Sequence, residues 1–442
     1  MAAEETRTEG SLAGATVTLA TNGASAVVSL AFGIAAARWF GATGRGQVVA
    51  FMYWPSLVLL AAMLGIPTAT TYYAAHRDRS ESGAIIGTGT ASVALSSLLA
   101  AGAVALLAPL LVGDGSPEVV EATRIFSVSI VLVGLLNVAY HPLRVLGHLN
   151  AWNGVRLLID STPMLALVAM MILSSRYLPT YALALLTVQA VVLAIGYSVV
   201  LRHTRPTLSR SWGLPLLKYG LPTVLATLPA LLNFRVDQAF LVRMVDRSEL
   251  GNYATAVAWS QSVLIVTNVI HYLVLPRVAP LVGGARNKEY DHLLRLSVLL
   301  IVMIVVPLTA VSPWAVPLLF GEGFSEAGRL CLIMVPAAGL LGLTGIAQEV
   351  LRTERRLRGP LVSQLLGLAV TAGAVLLLVP ALGVWGAAVA SIITYLAVTA
   401  MLGWYLRRMG MPIGAPFLVP HVRQFRAMLA LPAELAGRLR RP

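Results

Sequence analysis

The stretch Ala84–Val112 reads AIIGTGTASVALSSLLAAGAVALLAPLLV and contains no charged residue. An α-helix needs roughly 20 mostly apolar residues to cross the hydrocarbon core of a bilayer, and this stretch is long enough to do so. The same criterion is met by the stretches 13–36, 46–75, 119–141, 152–174, 179–201, 215–242, 250–276, 292–320, 326–350, 359–380 and 384–406. The sequence therefore predicts an all-α polytopic membrane protein with twelve transmembrane helices.

The composition agrees with this prediction and excludes other classes. The chain has 442 residues, of which 57% are hydrophobic and 12% are charged, whereas soluble proteins have about 45–50% apolar and about 25% charged residues. So little charge cannot cover the surface of a soluble enzyme of this length. The formal net charge is +13, but no separate polar domain concentrates the basic residues, so nucleic acid is not an expected partner.

The distribution of basic residues predicts the orientation in the membrane, because cytoplasmic loops carry an excess of Lys and Arg. With a cytoplasmic N-terminus, 24 of the 32 basic residues fall on the cytoplasmic side and seven on the outer side, and Arg235 lies within a span. We therefore expect a cell-membrane protein with both termini in the cytoplasm. The first eleven residues hold Glu4, Glu5 and Glu9, the reverse of a secretory signal, so the first apolar segment is expected to remain as a span.

The two halves of the chain resemble each other at a constant offset of 205 residues. This offset pairs Arg38, Gly46, Trp54 and Glu121-Ala-Thr-Arg124 with Arg243, Gly251, Trp259 and Glu326-Ala-Gly-Arg329. Six spans per repeat is an even number, so both halves enter the membrane in the same direction, and a substrate cavity is expected between them. The sequence thus predicts two parallel six-helix repeats around a central cavity.

The predicted domains follow from the repeat. They are an N-terminal segment at 1–12, an N-lobe at 13–201, a cytoplasmic linker at 202–214, a C-lobe at 215–406 and a cytoplasmic tail at 407–442. The tail carries seven arginines interleaved with apolar residues, which favours an amphipathic helix on the anionic inner leaflet. A docking helix for a partner enzyme and a solvated tail are the alternatives.

Ionisable residues at membrane depth are functional candidates, and each has a structural alternative. In span 7, Asn233, Arg235 and Asp237 either line the cavity or form buried pairs with neighbouring helices. Possible ion-coupling residues are Asp237, Asp160, Glu349 and His271. An ion pair with Arg156 or Arg352 would explain Asp160 or Glu349 without a function, and His271 either titrates near neutral pH or is a hydrogen-bonded core residue.

The sequence contains no catalytic constellation. Its seven histidines and 19 acidic residues show no metal-ligand spacing, and a Walker-type phosphate loop is absent. Cys331 is the one cysteine, so neither an internal disulfide nor a thiolate metal site can form. We expect no cofactor, no metal and no enzymatic activity, with transport driven by an ion gradient, the membrane potential or the substrate's own gradient.

Several motifs resemble a known family. They are ARWFGATGRG at 37–46, GIPTA at 65–69, DQAFLVRMVDRSELGNYATAVA at 237–258, LFGEGF at 319–324 and GVWGAAVA at 383–390. In this order they resemble the polysaccharide (O-antigen and exopolysaccharide) flippases of the multidrug/oligosaccharidyl-lipid/polysaccharide (MOP) exporter superfamily. The similarity extends over roughly residues 13–408.

This resemblance implies two six-helix lobes and the translocation of a lipid-linked oligosaccharide, on undecaprenyl pyrophosphate, for surface polysaccharide synthesis. Glycosyltransferases or a polysaccharide polymerase would be partners. A pyrophosphate favours arginine, which pairs with phosphate bidentately and keeps its charge. Arg235 fits this need in the cavity, Arg38 or Arg124 at the outer mouth, and Asp237 matches the acidic position of the family motif.

Alternatives of other classes remain. A drug or cation antiporter of the same superfamily would share the fold, although Arg235 weighs against a cationic substrate. The related lipid II flippases have two additional spans, which this sequence does not show. A non-transporting membrane scaffold for glycan assembly would need no charge in the cavity.

Overall fold

The computed structural model describes residues 2–113, 116–233, 236–265, 267, 278, 281, 283–354, 356 and 358–410. The regular structure of these residues is helical and includes no β-strand. The α-helices are α1 (Ala2–Ala62), α2 (Ile66–His76), α3 (Ser82–Val112), α4 (Pro117–Phe126), α5 (Ser129–Tyr140), α6 (Leu149–Ile172), α7 (Leu178–His203), α8 (Arg210–Asn233), α9 (Val236–Met244), α10 (Arg247–Ser260), α11 (Gly283–Phe320), α12 (Ser325–Thr353) and α13 (Arg358–Arg408). The predicted all-α class is confirmed.

Within the described residues, eight helical stretches are long and apolar enough to cross a membrane. Two of them, Ala20–His76 and Arg358–Arg408, contain 57 and 51 residues. At 1.5 Å per residue each exceeds twice the ~30 Å of a bilayer core, so each can supply two crossings. Gly41 and Gly383 interrupt the corresponding helices with φ values of 69° and 55°. These breaks agree with the predicted pairs of spans 1–2 and 11–12, and the structure is consistent with twelve spans.

A further break divides the predicted second span, 46–75. Leu64 and Gly65 adopt positive φ values of 50° and 68° between α1 and α2, a conformation that is uncommon for a residue as bulky as leucine. A Cβ atom on Gly65 would lie 2.1 Å from the carbonyl oxygen of Gly220. The break thus brings the backbone of α2 directly against α8, an approach that only glycine permits.

The chain divides into two compact units. Unit 1 contains residues 1–255 and 318–324, and unit 2 contains residues 256–317 and 325–442. Unit 1 holds the whole predicted N-lobe together with α8, α9 and the first half of α10. The lobe boundaries 13–201 and 215–406 stay predictions.

Each unit has its own apolar core. In unit 1, α5, α6 and α7 pack around a cluster that includes Ala139, Val155 and Val200. In unit 2, α11, α12 and α13 pack around a cluster that includes Tyr290 and Val350. Transmembrane helices gain little from burying apolar surface against one another, so close packing and hydrogen bonds hold such bundles together.

The predicted linker, 202–214, is bound to α3 rather than free. The backbone N–H of Thr207 donates to the carbonyl of Gly83 at 3.0 Å, and that of Ser209 donates to Oγ1 of Thr88 at 3.0 Å. A Cβ atom on Gly87 would lie 2.3 Å from the carbonyl oxygen of Thr207. The small residues of α3 therefore allow the extended main chain of the linker to pack against the helix. The non-helical part is shorter than predicted, because α7 ends at His203 and α8 begins at Arg210.

Two tryptophans of the predicted repeat play the same part in separate units. In unit 1, Nε1 of Trp54 donates to the carbonyl of Leu111 near the end of α3 at 2.8 Å. In unit 2, Nε1 of Trp259 donates to Oγ of Ser312 near the end of α11 at 2.8 Å. Because α3 and α11 correspond to spans 3 and 9, each tryptophan anchors the equivalent helix of its own repeat.

Candidate functional site

Two glycines related by the 205-residue offset lie backbone to backbone in unit 1. A Cβ atom on Gly46 of α1 would lie 1.7 Å from the carbonyl oxygen of Arg247, and one on Gly251 of α10 would lie 2.0 Å from that of Ala42. Real Cβ atoms do not approach other heavy atoms this closely. Only glycine therefore fits at either position while α1 and α10 are in contact.

Two arginines next to this contact bind the ends of helices. Arg38 donates from Nε to the carbonyl of Leu319 at 2.7 Å and from Nη2 to that of Leu318 at 2.8 Å. Arg247 donates from Nη2 to the carbonyl of Val112 at 3.0 Å. The last carbonyls of a helix lack partners within the helix and carry its negative dipole end, so a guanidinium group stabilises them.

These contacts are reciprocal. Arg38, from the first repeat, caps α11, and Arg247, from the second repeat, caps α3, so each half holds the corresponding helix of the other half. We call Arg38, Gly46, Arg247 and Gly251 the clamp. Its four residues come from both predicted repeats, and by the predicted topology it lies at the outer side.

Asp237, predicted for the cavity, joins α9 to α10. Its Oδ2 accepts a hydrogen bond from the hydroxyl of Tyr253, and its Oδ1 accepts one from the backbone N–H of Gln238 at 2.8 Å. Tyr253 is completely buried. Asn233, at the end of α8, is also buried, with 7% exposure. Arg235 lies between Asn233 and Asp237 in the sequence and is outside the described residues.

Asp160 is bound to a second helix as well as to its own. Oγ of Ser25 in α1 donates to Oδ2 of Asp160 at 2.7 Å, and Nε of Arg156 lies 3.8 Å from the same oxygen. Glu349 shows the simpler arrangement, in which Nη1 of Arg352 lies 3.7 Å away on the same helix.

Arg124 is exposed in the last turn of α4. Nearby, Glu121 accepts a hydrogen bond from the hydroxyl of Tyr177 at 3.0 Å, and this bond raises the pKa of Tyr177. His271 and the tail beyond residue 410 lie outside the described residues.

The sequence alone did not single out Tyr253, Arg247 or Ser25. Tyr253 and Arg247 belong to the motif at 237–258, so the motif contained the signal without assigning their partners. Ser25 carried no signal, because a serine in an apolar helix ordinarily bonds to its own backbone. In the described part of the chain no group of three or more His, Cys, Asp or Glu side chains is arranged to hold a metal ion.

Comparison with known proteins extends these observations. A family model described as "Polysaccharide biosynthesis protein" matches residues 42–329, which is more than half of the chain. No curated protein sequence matches the chain significantly.

Solved structures share the fold. The lipid II flippase MurJ in an inward closed conformation superposes with a TM-score of 0.75 at 13% identity, covering 90% of this chain and 87% of that chain. An inward-facing multidrug resistance MATE family transporter of the MOP superfamily gives 0.64 at 15% identity, with coverages of 87% and 98%. The MATE multidrug transporter DinF-BH gives 0.61 at 14% identity, with coverages of 90% and 94%.

The family match covers three clamp residues, Gly46, Arg247 and Gly251, and begins after Arg38. The structural similarity covers nearly the whole chain and shows the fold. The chain therefore belongs to the polysaccharide biosynthesis protein family, and it is a multi-pass membrane protein whose fold is similar to that of MurJ and of MATE family proteins.

Proposed function

We propose that the protein flips a lipid-linked oligosaccharide, carried on undecaprenyl pyrophosphate, across the cytoplasmic membrane for surface polysaccharide synthesis. The family match carries this proposal, and the similarity to a lipid II flippase agrees with it. In this proposal both termini lie in the cytoplasm, and the two six-helix lobes move about a central cavity. Glycosyltransferases or a polymerase would supply and use the glycan.

The clamp supports alternating access as the mechanism. With the clamp closed, the outer side is sealed and the substrate is taken up from the cytoplasmic leaflet. Opening to the outer leaflet must separate Gly46 from Gly251 and break the bonds of Arg38 and Arg247 to helix carbonyls. After exchange with water is counted, each hydrogen bond to a charged group stabilises the closed state by about 1.5–3 kcal/mol, a cost that binding of the substrate can offset. The clamp can therefore hold the closed state and still release it.

Arginine is the proposed ligand of the pyrophosphate. Arg235 lies between Asn233 and Asp237 in span 7, and a guanidinium group binds phosphate oxygens with two parallel bonds. Arg38 is bound to carbonyls while the clamp is closed, so it becomes available to an anion when the clamp opens. Arg124 is proposed to add positive charge at the outer mouth.

Ion coupling is the remaining part of the proposal. Asp237 is held by Tyr253 and therefore has a defined position, which a coupling carboxylate requires. Asp160, Glu349 and His271 are the other candidates, and Glu349 is the weakest because a pair with Arg352 on its own helix accounts for it.

Complementation tests the proposal. A host strain that lacks the gene should lose surface polysaccharide and regain it with the wild-type protein. Arg235→Ala should abolish export at normal protein levels, Arg235→Lys should restore part of it, and Arg329→Ala should have little effect. Normal export by Arg235→Ala would refute the cavity assignment, and normal surface polysaccharide in the deletion strain would refute the function.

The antiporter alternative rests on the similarity to MATE transporters. Proteoliposomes containing the purified protein distinguish the two functions. A flippase should move a fluorescent lipid-linked oligosaccharide between leaflets and should not export an organic cation such as ethidium against an ion gradient. The opposite pattern would establish the antiporter. A scaffold would move neither substrate.

A further inference from the structure

Two arginines are held against one tryptophan at the start of α6, in unit 1. The guanidinium carbon of Arg156 lies 5.5 Å from the centre of the Trp152 ring, and that of Arg144 lies 5.6 Å from it. Arg144 precedes α6 and Arg156 lies two turns into it. Because long side chains in a helix lean toward its N-terminus, the guanidinium group of Arg156 reaches the level of the indole. We call Arg144, Trp152 and Arg156 the arginine–tryptophan cluster.

This cluster is rich in hydrogen-bond donors and poor in acceptors. In the described part of the chain, Arg144 has its ring contact but neither a hydrogen bond nor an ion pair. Nε of Arg156 lies 3.8 Å from Oδ2 of Asp160, which is too far for a hydrogen bond, and that oxygen already accepts one from Ser25. Nε1 of Trp152, a residue that is 6% exposed, also lacks an acceptor among the described residues. A guanidinium group that stacks on a ring keeps its in-plane N–H groups available to an anion.

The first turn of α6 adds further donors. The helix begins at Leu149, and His148 at its N-cap makes no side-chain capping bond. The backbone N–H of Trp152 donates to the carbonyl of His148 at 3.0 Å, so the N–H groups of Leu149, Asn150 and Ala151 precede the hydrogen-bonded part of the helix. They carry the positive end of the helix dipole. Phosphate groups bind to helix ends of this kind, and here the end lies beside two arginines.

The position and the charge of the cluster indicate its ligand. By the predicted topology the cluster lies at the cytoplasmic surface of the membrane, between spans 4 and 5, where basic pockets between helices bind anionic headgroups. Arg144 and Arg156 together with the carboxylate of Asp160 give a net charge of +1. The phosphodiester of phosphatidylglycerol, with its single negative charge, balances this. Phosphatidylcholine adds a cation that the arginines repel, and a pyrophosphate adds negative charge that Asp160 repels.

We propose that Arg144, Arg156 and the first turn of α6 bind the phosphodiester headgroup of an anionic phospholipid in the cytoplasmic leaflet. The guanidinium carbons are at most about 11 Å apart, since both face the same ring. Charge-assisted N–H···O bonds are about 2.7–2.9 Å long, so one phosphate group can accept from both arginines. Trp152 positions the two side chains. The ligand is a membrane lipid, so the site does not depend on the proposed transport function.

Native mass spectrometry of the purified full-length protein in detergent tests the site. Delipidated wild type should bind phosphatidylglycerol saturably and phosphatidylcholine roughly tenfold more weakly. Arg144→Gln and Arg156→Gln should each weaken the binding of phosphatidylglycerol about 3- to 10-fold, and the double variant should no longer distinguish the two lipids. Arg144→Lys should retain part of the affinity, because lysine keeps the charge and loses the planar set of donors.

Arg176→Gln is the matched control. Arg176 is exposed, and its guanidinium carbon lies 5.1 Å from the centre of the Trp39 ring, but the predicted topology places it on the outer side. This variant loses the same charge and the same kind of ring contact, and it should bind phosphatidylglycerol as wild type does. The lipid should raise the melting temperature of wild type and of Arg176→Gln. It should leave that of the double variant unchanged, and a cooperative melting transition of the double variant in phosphatidylcholine would show that the variant is folded.

Asp160→Asn tests the charge balance. It removes the carboxylate that faces Arg156, so phosphatidylglycerol should bind several-fold more tightly, and weaker binding would contradict an anion site.

The proposal would be overturned if wild type and the double variant bound phosphatidylglycerol equally, or if wild type bound phosphatidylcholine as tightly as phosphatidylglycerol. Tighter binding of undecaprenyl pyrophosphate than of phosphatidylglycerol, lost in the double variant, would overturn the phospholipid assignment and make the cluster a site for the lipid carrier. The assay measures neither glycan nor transport, so its failure would leave the proposed function intact. Phospholipid binding without glycan translocation would count against the flippase function alone.

Discussion

Replacing Gly46 with alanine is expected to wedge the clamp open. The new Cβ atom would lie 1.7 Å from the carbonyl oxygen of Arg247 and 2.7 Å from its carbon. Reaching even 3.0 Å requires a displacement of at least about 1.3 Å, and the obstacle is main chain, which cannot rotate away as a side chain does. Overpacking of this kind costs about 1–3 kcal/mol. The closed state alone bears this cost, so its population relative to the open state should fall about 5- to 150-fold.

Electron spin resonance distances can measure this shift. Thr43 and Ser248 are both exposed and each precedes a clamp glycine by three residues, so spin labels there report the separation of α1 from α10 without entering the contact. In a background where Cys331 is replaced by serine, wild type should show mainly the short distance. Gly46→Ala should transfer population to longer distances and reduce glycan export.

Gly102→Ala is the matched control. Gly102 also lies in a helix of unit 1, but a Cβ atom there would meet nothing within 4 Å. Alanine is favoured over glycine inside a helix by about 1 kcal/mol, so this variant should be neutral or slightly more stable, with wild-type distances. An unchanged distance distribution and normal export in Gly46→Ala would refute the inference that this contact closes the outer side.

Three further perturbations give separate tests. Arg38→Gln and Arg247→Gln should each favour the open state by about 1–3 kcal/mol. Because the two arginines cap different helices, their free-energy effects on the ratio of open to closed molecules, measured from the spin-label distances, should add. A double variant no more open than either single variant would contradict two independent caps. Tyr253→Phe should lower the melting temperature by removing a bond to a carboxylate, worth about 1.5–3 kcal/mol, and adding Asp237→Asn should cost little more, since both changes remove the same bond. Partial burial, together with the neighbouring His203 and Arg79, lowers the pKa of His148 below 6.5, so the unfolded chain takes up a proton first as pH falls. Stability should therefore be full above about pH 6.5 and decrease below it. The decrease should be smaller in His148→Gln when melting temperatures at pH 7.5 and 5.5 are compared.

Much of the helical arrangement could be predicted from the length and position of the apolar segments. The predicted spans 119–141 and 179–201 correspond to the stretches Pro117–Arg144 and Leu178–His203, and the joint at Gly383 was expected between spans 11 and 12. These succeed because length and hydropathy are local properties. The break at Leu64 was not predictable, since leucine ordinarily avoids positive φ and its conformation depends on the contact between α2 and α8.

The candidate site was less accessible to sequence reasoning. The offset of 205 residues identified Gly46 and Gly251 as equivalents, but nothing local distinguished them from the other glycines among the 38 in the chain or indicated that they would meet. The family resemblance implies a place for Arg38 at the outer mouth, where it would meet an anionic substrate. Its bonds to carbonyls 280 and 281 residues away depend on helix ends that come together only in the folded protein.

The meeting of Gly46 with Gly251 has a consequence for how the chain tolerates change. At the axis of a symmetric dimer a residue contacts its own copy, so a single substitution changes both sides of the contact. In this chain the two sides are encoded separately, and each already carries the smallest side chain available. An enlargement on one side therefore cannot be relieved by a reduction on the other, and neither glycine can act as a second-site suppressor for its counterpart.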